Sequence, residues 1–357
     1  MARLQVGLIG LGRITDLHYL GYQNNPKAEL YALVDVDEGL LRRRMQQWRV
    51  QKGYADYREL LADPTVDAVE VVTPHHLHAP MSIAALESGK HVSVQKPMAM
   101  NLREADAMIQ AAARHGKLLR VLENFRFYPP YLKAKELILG GEIGDPLSIR
   151  IKSIGGNRSH GWQVPPSAWA WRGDPSTCGG GPVLFDHGYH IWSIAMWFLG
   201  RVERVHAFIG RTETHPGWFA DSPSVVTWKY AGVEKYGLYE TVASRDLMVR
   251  SKYYASDEWT EITGSRGVIW VNHCSGQMLD VPPVQLYRDC VLTNFSDIDW
   301  DWATSFASGV RDFVDAIWDN RESEIRCEEA KEVLRLSLAI QLSGKEHREV
   351  SLSEIVE

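Results

Sequence analysis

Leu4-Gln5-Val6-Gly7-Leu8-Ile9-Gly10-Leu11-Gly12-Arg13-Ile14-Thr15 is a short apolar run that breaks at two glycines and then opens a helical pattern. Glycines at such a point let the backbone turn tightly and approach a pyrophosphate, while the first helical turn offers unpaired N–H groups and a positive dipole end. The next apolar run ends in Val34-Asp35, so a carboxylate stands 25 residues after Gly10. An acidic side chain there suits two hydrogen bonds to a ribose diol and repels the 2′-phosphate of NADP. The third glycine of the fingerprint is Thr15 here, a modest change where helix and strand pack closely. Together Gly10, Gly12, Arg13, Ile14 and Asp35 predict an NAD site, with NADP disfavoured. The competing reading is a plain glycine turn beside a solvated Asp.

Working outward, short apolar runs alternate with amphipathic stretches, the grammar of βαβ units and a parallel sheet. Strands are predicted at Leu4–Ile9, Leu30–Asp35, Ala68–Val72, His91–Val94 and Leu118–Leu122. Helices are predicted at Ile14–Asn24, Gly39–Trp48, Pro80–Glu87 and Leu102–Ala113, each with apolar residues three and four apart. From about residue 147 the pattern changes to period-two runs at Leu147–Ile154, Val202–Ile209, Val225–Tyr230, Tyr236–Val242, Glu258–Ile262 and Val268–Val271. These imply an antiparallel sheet and a separate α+β domain. Helix returns at Phe306–Trp318 and Glu328–Leu342. Residues 155–182 hold eleven Gly or Pro in 28 positions and three Trp, and read as one long functional loop.

Composition narrows the function classes. Thirty-nine Lys plus Arg against forty-five Asp plus Glu, with no long run of one sign, argues against a nucleic-acid surface. Cys178, Cys274, Cys290 and Cys327 lie far apart and read as reduced, mostly buried thiols. No apolar stretch is long enough for a membrane span, so the chain is expected to be soluble, untargeted and cytoplasmic. Twelve of the thirteen Trp lie beyond residue 150, which marks two regions with different work. Trp228, Trp259 and Trp270 fall in strand patterns and suit packing or a subunit interface, while Trp192 and Trp318 suit helix cores.

Three further constellations carry chemistry. Gln95-Lys96-Pro97 ends the fourth strand, where a Lys points into the crevice that parallel sheets use for ligands; a surface Lys before a helix is the plain alternative. Cys178-Gly179-Gly180-Gly181-Pro182 leads into a helix predicted from Pro182 to Gly200, with Asp186, His190 and Trp197 on one face. Asp186 and His190 then form an acid–base pair, or Asp186 merely satisfies a core histidine. His75, His76 and His78 cluster on a loop without a matching Cys or carboxylate, so no metal site is predicted. Glu123-Asn124-Phe125-Arg126-Phe127-Tyr128-Pro129 bridges the two domains. Its polar residues, Arg126 and Tyr128 among them, face the crevice if the hinge lies there, with Phe125 and Phe127 in the core.

On these motifs the sequence resembles the glucose-fructose oxidoreductase / inositol dehydrogenase / rhizopine-catabolism (Gfo/Idh/MocA) family along nearly its whole length. The likeness rests on Gly10 and Gly12, on Thr73-Pro74-His75-His76-Leu77-His78-Ala79, on Ala85 to Val92 leading to Gln95-Lys96-Pro97, and on Gly179-Gly180-Gly181 with Asp186 and His190. It implies an N-terminal Rossmann domain, residues 1–123, and a C-terminal α+β domain, residues 124–357, whose open, mainly antiparallel sheet forms a homodimer or homotetramer interface. It also implies NAD(P)-dependent hydride exchange with a secondary hydroxyl of a sugar, cyclitol or glycoside. Carried onto this chain, Thr73, Pro74, His75, His78, Gln95 and Lys96 line the cofactor. Lys96 hydrogen-bonds the reacting oxygen, His190 is the general base, and Asp186 orients His190 or binds a neighbouring hydroxyl. Trp171-Arg172 matches a pair near cofactor and substrate, and Trp162, Trp169 and Trp171 offer indole faces to a pyranose, with Trp300 and Trp302 as lesser additions.

Gln95 departs from the family's Glu and removes a negative charge beside Lys96, which favours a lower lysine pKa. Two other functions fit a chain of this kind: a non-catalytic NAD(P)-sensing regulator, against which Lys96 and His190 argue, and an NAD-dependent glycoside hydrolase working by oxidation and elimination.

Overall fold

The first sheet is built from Leu4–Ile9 (β1), Ala28–Val34 (β2), Lys52–Tyr54 (β3), Ala68–Val71 (β4), His91–Gln95 (β5) and Leu119–Leu122 (β6). All six run parallel, side by side in the order β3-β2-β1-β4-β5-β6. Between them run helices Thr15–Tyr22 (α1), Glu38–Trp48 (α2), Tyr57–Ala62 (α3), His78–Glu87 (α4) and Leu102–His115 (α5). The computed structural model describes residues 3–158, 160–165 and 168–357; residues 1, 2, 159, 166 and 167, three of them in the predicted 155–182 loop, lie outside it. Leu8, Val69, Val92 and Val121 are fully buried, as expected of parallel strands covered on both faces. Local chemistry sets the helix starts: Asp37 accepts from Leu40 N at 2.9 Å to cap α2, and Asn101 and Glu104 cap α5 reciprocally.

The strand order reverses direction between β1 and β4, so the crevice opens at their carboxyl ends. Gly10, Thr73, Lys96 and Glu123 each follow within two residues of β1, β4, β5 or β6, which brings them to one rim. β3 and α3 leave no periodic signal in the sequence. β3 is only three residues long, with Lys52 and Gly53 exposed at the sheet edge, and α3 spans six residues, too few to show a helical period.

Beyond Glu123 come helix Pro129–Leu139 (α6), the long strand Pro146–Arg158 (β7), the single turn Pro175–Cys178 (α7), a wide π-turn over Pro182–His187 and helix Gly188–Leu199 (α8). Strands Val202–Ile209 (β8), Thr212–His215 (β9), Trp218–Ala220 (β10), Ser224–Tyr230 (β11), Tyr236–Val249 (β12), Ser256–Gly264 (β13), Gly267–Val271 (β14), Val284–Arg288 (β15) and Val291–Phe295 (β16) follow. Helices Trp302–Trp318 (α9) and Cys327–Glu346 (α10) and strand Val350–Ser351 (β17) complete the described chain. The second sheet has nine strands in the order β16-β15-β14-β13-β7-β12-β11-β8-β17.

The second sheet is mainly antiparallel, as expected. One pair departs from the antiparallel pattern: β7 and β12 run parallel at its centre, with Tyr236 opposite Ser148, because the chain leaves β7 through α8 and four strands, β8 to β11, before returning beside it. The predicted loop over 155–182 begins as strand and contains α7 and a 3₁₀ turn at Ala170–Gly173. The β15–β16 hairpin was missed because its turn is Asp289-Cys290, both at positive φ without a glycine to announce it. Cys290 is accordingly exposed, while the other three thiols are buried.

The last helices return to the first sheet. α9 packs along α1, with Gly21 giving room to Val310. Arg120 on β6 is fully buried and donates to Gly309 O of α9 at 2.7 Å and to Ser93 Oγ at 3.1 Å, with Glu70 and Asp312 within 4 Å. No helix among the described residues is long and apolar enough to cross a membrane.

Candidate active site

Gly10 adopts φ +86°, and a Cβ there would stand 2.5 Å from Val72 O. Only glycine lets the ends of β1 and β4 come that close. A Cβ on Gly12 would instead meet no protein atom within 4 Å, so the space over the turn is open to a ligand. Buried Thr15 closes the turn itself, its hydroxyl donating to Gly12 O at 2.6 Å. Asp35 accepts from Leu11 N at 2.8 Å and from Asp37 N at 2.9 Å, holding its carboxylate beside the loop. Arg13 pairs with Asp16 and lies over the Trp162 ring, and Ile14 stands just before α1 with no side-chain cap on its first turn. An open glycine turn, a helix N-terminus and a fixed carboxylate fit a dinucleotide.

The loops after β4 and β5 form the next rim. His78 lies between Thr73 O and Pro97 O at 2.9 and 2.8 Å and pins the two loops together. His75 reaches Cys178 O at 2.7 Å through Nδ1, with Nε2 3.4 Å from Asp186. These rings are already engaged, and among the described residues no group of three or more His, Cys, Asp or Glu is disposed to hold a metal. Gln95 turns away from the lysine side chain: its amide nitrogen meets His18 Nε2 at 3.1 Å and its oxygen accepts from Lys96 N at 2.9 Å. The counterion of Lys96 comes from elsewhere.

It is Asp186. Lys96 Nζ donates to Asp186 Oδ1 at 2.5 Å and to Asp186 O at 2.8 Å, while Arg172 Nε donates to Oδ2 at 2.6 Å. Burial alone would raise the Asp186 carboxyl, but Lys96, Arg172 and His75 together hold it well below the usual carboxylate range. Among the described residues no hydrogen bond joins Asp186 to His190, so Asp186 does not orient that ring. The expected face assumed 3.6 residues per turn, and the π-turn over Pro182–His187 breaks that phase.

His190 is held instead by Glu123, whose two oxygens lie 2.7 and 2.8 Å from Nδ1. Phe125 stacks on the imidazole at 4.3 Å and 7°. With Nδ1 engaged, Nε2 is the free edge of the ring. Burial lowers the His190 pKa and Glu123 opposes the shift without overcoming it, so the ring is neutral near pH 7. Beside it, His187 Nε2 lies 2.8 Å from Glu258 Oε1, close enough for an ion pair though not aligned for a hydrogen bond.

An aromatic wall faces these groups. Arg172 lies over Trp171 and Trp169, and Trp171 stands edge-on to His75. Trp169 and Trp162 both pack against Tyr254, which also meets Trp302. Burial raises the Tyr254 hydroxyl to about 12, so it stays protonated. Trp300 stacks on His273 at the far end.

Two predicted substrate residues point elsewhere. Arg126 is buried on Glu329 and the Trp197 ring, and Tyr128 is fully buried with its hydroxyl on Trp300 O. Trp197, expected beside His190, therefore serves Arg126. His187, Glu258 and Tyr254 were not singled out from sequence, and Glu123 was read only among the polar residues of 123–129 that face the crevice. Glu123 follows β6 as Lys96 closes β5, so the carboxyl-end rule applied to one more strand finds it. Glu258 and Tyr254 carry no local signal, since only the pairing of β13 with β7 brings them here.

The Asp186 cluster makes a prediction about pH. An unfolded Asp titrates near 3.9. Because the folded value is lower, the ionised group stabilises the fold fully above that range, and the contribution is lost as pH falls through the folded value. Asp186→Asn should lower the urea midpoint at neutral pH, with the gap to wild type narrowing on acidification below about pH 4. A gap that stays constant with pH would remove the charge from the explanation.

Similarity to known proteins agrees with this geometry. Residues 4–123 match the family model described as an oxidoreductase family with an NAD-binding Rossmann fold, and residues 131–270 match the GFO/IDH/MocA C-terminal domain. The chain is 28% identical to a myo-inositol 2-dehydrogenase of Thermotoga maritima, over 99% of this chain and 100% of that protein. It is 28% identical to a scyllo-inositol 2-dehydrogenase (NAD(+)) of Bacillus subtilis, over 75% and 74%. The crystal structure of a probable dehydrogenase from Thermotoga maritima superposes with a TM-score of 0.79 at 27% identity, over 99% of this chain and 100% of that one.

Proposed function

The chain belongs to the Gfo/Idh/MocA family of NAD(P)-binding oxidoreductases, and on that premise we propose that it is an NAD-dependent dehydrogenase of a secondary hydroxyl on a sugar, cyclitol or glycoside. The observation that carries the reading is the pairing of Lys96 with a Glu123-backed His190 at the mouth of the dinucleotide cradle. An ammonium has three donors, and Asp186 takes two of those on Lys96. The third is left for the reacting oxygen, where the positive charge stabilises developing alkoxide. His190 Nε2 accepts the hydroxyl proton, and Glu123 stabilises the imidazolium that results. Bound in the cradle, the nicotinamide supplies the acceptor for the hydride from the same carbon. Arg172 and Asp186 keep Lys96 in register, and Trp162, Trp169 and Trp171 cover the apolar face of the ring and exclude water.

Asp35 supports NAD over NADP, because a fixed carboxylate beside the ribose leaves no room for a 2′-phosphate charge. Three buried free thiols suit a reducing compartment such as the cytoplasm. Self-association as a homodimer or homotetramer is supported by the outward face of the second sheet, where half-buried Trp259 and Trp270 share a surface with Leu238 and exposed Phe208.

Purified protein with NAD and a panel of myo-inositol, scyllo-inositol, D-glucose, levoglucosan and aryl glycosides should form NADH continuously with at least one member. Lys96→Ala and His190→Ala should each reduce kcat by about 10² or more with NAD affinity nearly unchanged. Tight NAD binding with no NADH from any polyol would favour a sensor, and a single stoichiometric burst with aglycone release would favour oxidation and elimination. In the same assay NAD should outperform NADP, and Asp35→Ala should narrow the difference; an NADP preference in the wild type would overturn the role given to Asp35. Sedimentation should report a dimer or tetramer that Trp270→Glu dissociates.

A further inference from the structure

Glu258 is a carboxylate with no exposure, on the inner face of β13. Ser275 Oγ donates to its Oε2 at 3.2 Å, and among the described residues no Lys or Arg pairs with it. Burial alone would raise this carboxyl, yet His187 draws it below its ordinary value. Holding an ionised carboxylate in such a place is unfavourable unless a partner compensates it, and the partner here is an imidazole.

That imidazole is the most open polar group of the cluster. The His187 side chain is 29% exposed, against 7% for His190, 8% for Asp186 and 11% for Lys96. Its Nε2 is turned to Glu258, and its Nδ1 has no protein hydrogen bond among the described residues. It follows Asp186 directly, and its ring centroid is 5.7 Å from that of His190, with the planes 70° apart. Two imidazoles so spaced, each backed by its own buried carboxylate, can each engage one of two neighbouring oxygens on a six-membered ring.

We propose that His187, positioned by Glu258, binds the hydroxyl next to the one oxidised, so that the site selects a vicinal diol over a deoxy or isolated carbinol. This rests on the dehydrogenase reading above. His190 Nε2 takes the reacting proton, and His187 Nδ1 hydrogen-bonds the adjacent hydroxyl. The hydride transfer is otherwise unchanged, and His187 contributes orientation and choice of substrate. A substrate lacking the second hydroxyl leaves His187 unpaired in a desolvated site, the arrangement that gives strong discrimination.

The test pairs the best polyol of the panel with analogues lacking each hydroxyl beside the oxidised carbon; for D-glucose oxidised at C3 these are 2-deoxy- and 4-deoxy-D-glucose. Wild type should prefer the parent over one analogue by about 10² or more in kcat/KM. In His187→Ala that ratio should collapse to within about tenfold, through a raised KM for the parent and little change for the analogue. His187→Gln, which retains a hydrogen-bonding amide, should recover part of the ratio. Glu258→Gln should raise KM more than it lowers kcat. NAD affinity, read from tryptophan fluorescence, should be the same in all variants. A His187→Ala enzyme that keeps the full ratio, or that loses both substrates equally, overturns the proposal. A wild type that oxidises no polyol fails at the first step, and then the dehydrogenase reading falls and takes this one with it.

Discussion

Asp186 lies buried with three positive or proton-bearing groups drawn around it, and each comes from a separate segment of the chain. Lys96 follows β5, His75 follows β4, and Arg172 belongs to the Trp-rich segment before the glycines. One carboxylate therefore ties the rim of the first sheet to the segment that follows β7. The electrostatics are self-consistent: the cations offset the desolvation of the carboxylate, and the carboxylate keeps an ammonium and a guanidinium tolerable in a half-closed crevice. The wide turn that carries Asp186 also lets its own backbone oxygen accept from Lys96, so the lysine is held by two atoms of one residue.

With Asp186 committed to cations, the two imidazoles beside it take carboxylates of their own. Glu123 serves His190 and Glu258 serves His187. Glu123 stands directly after the last strand of the first sheet, and its Oε1 also accepts from Phe125 N, so the same short stretch fixes both the carboxylate and the phenyl ring that flanks the imidazole. The placement of the His190 ring is thus set by the short stretch that leaves the first sheet.

The fingerprint, the strand-end lysine and the glycine-preceded Asp and His were legible in sequence because each depends on spacing within one βα unit or one helix. What failed depended on phase or on distant pairing. Asp186 and His190 are four residues apart, but Asp186 sits on the π-turn that ends at His187 and His190 on the helix that follows, and no propensity signals a π-turn. Arg126 reads as a crevice residue, yet Glu329, 203 positions away, takes it inward. The parallel pairing of β7 with β12 was hidden because period-two runs report strands and not their directions. Tryptophan content pointed correctly to an aromatic wall, while Tyr254, its central member, left no compositional mark.

The return of α9 onto α1 has a consequence for how such a chain is made. During synthesis the six-stranded sheet emerges with the Gly21 surface of α1 bare and the guanidinium of Arg120 lacking its carbonyl acceptor at Gly309. That acceptor arrives only after every strand of the second sheet but β17 has been made. The nucleotide-binding unit, although first in translation, completes its packing only when α9 arrives.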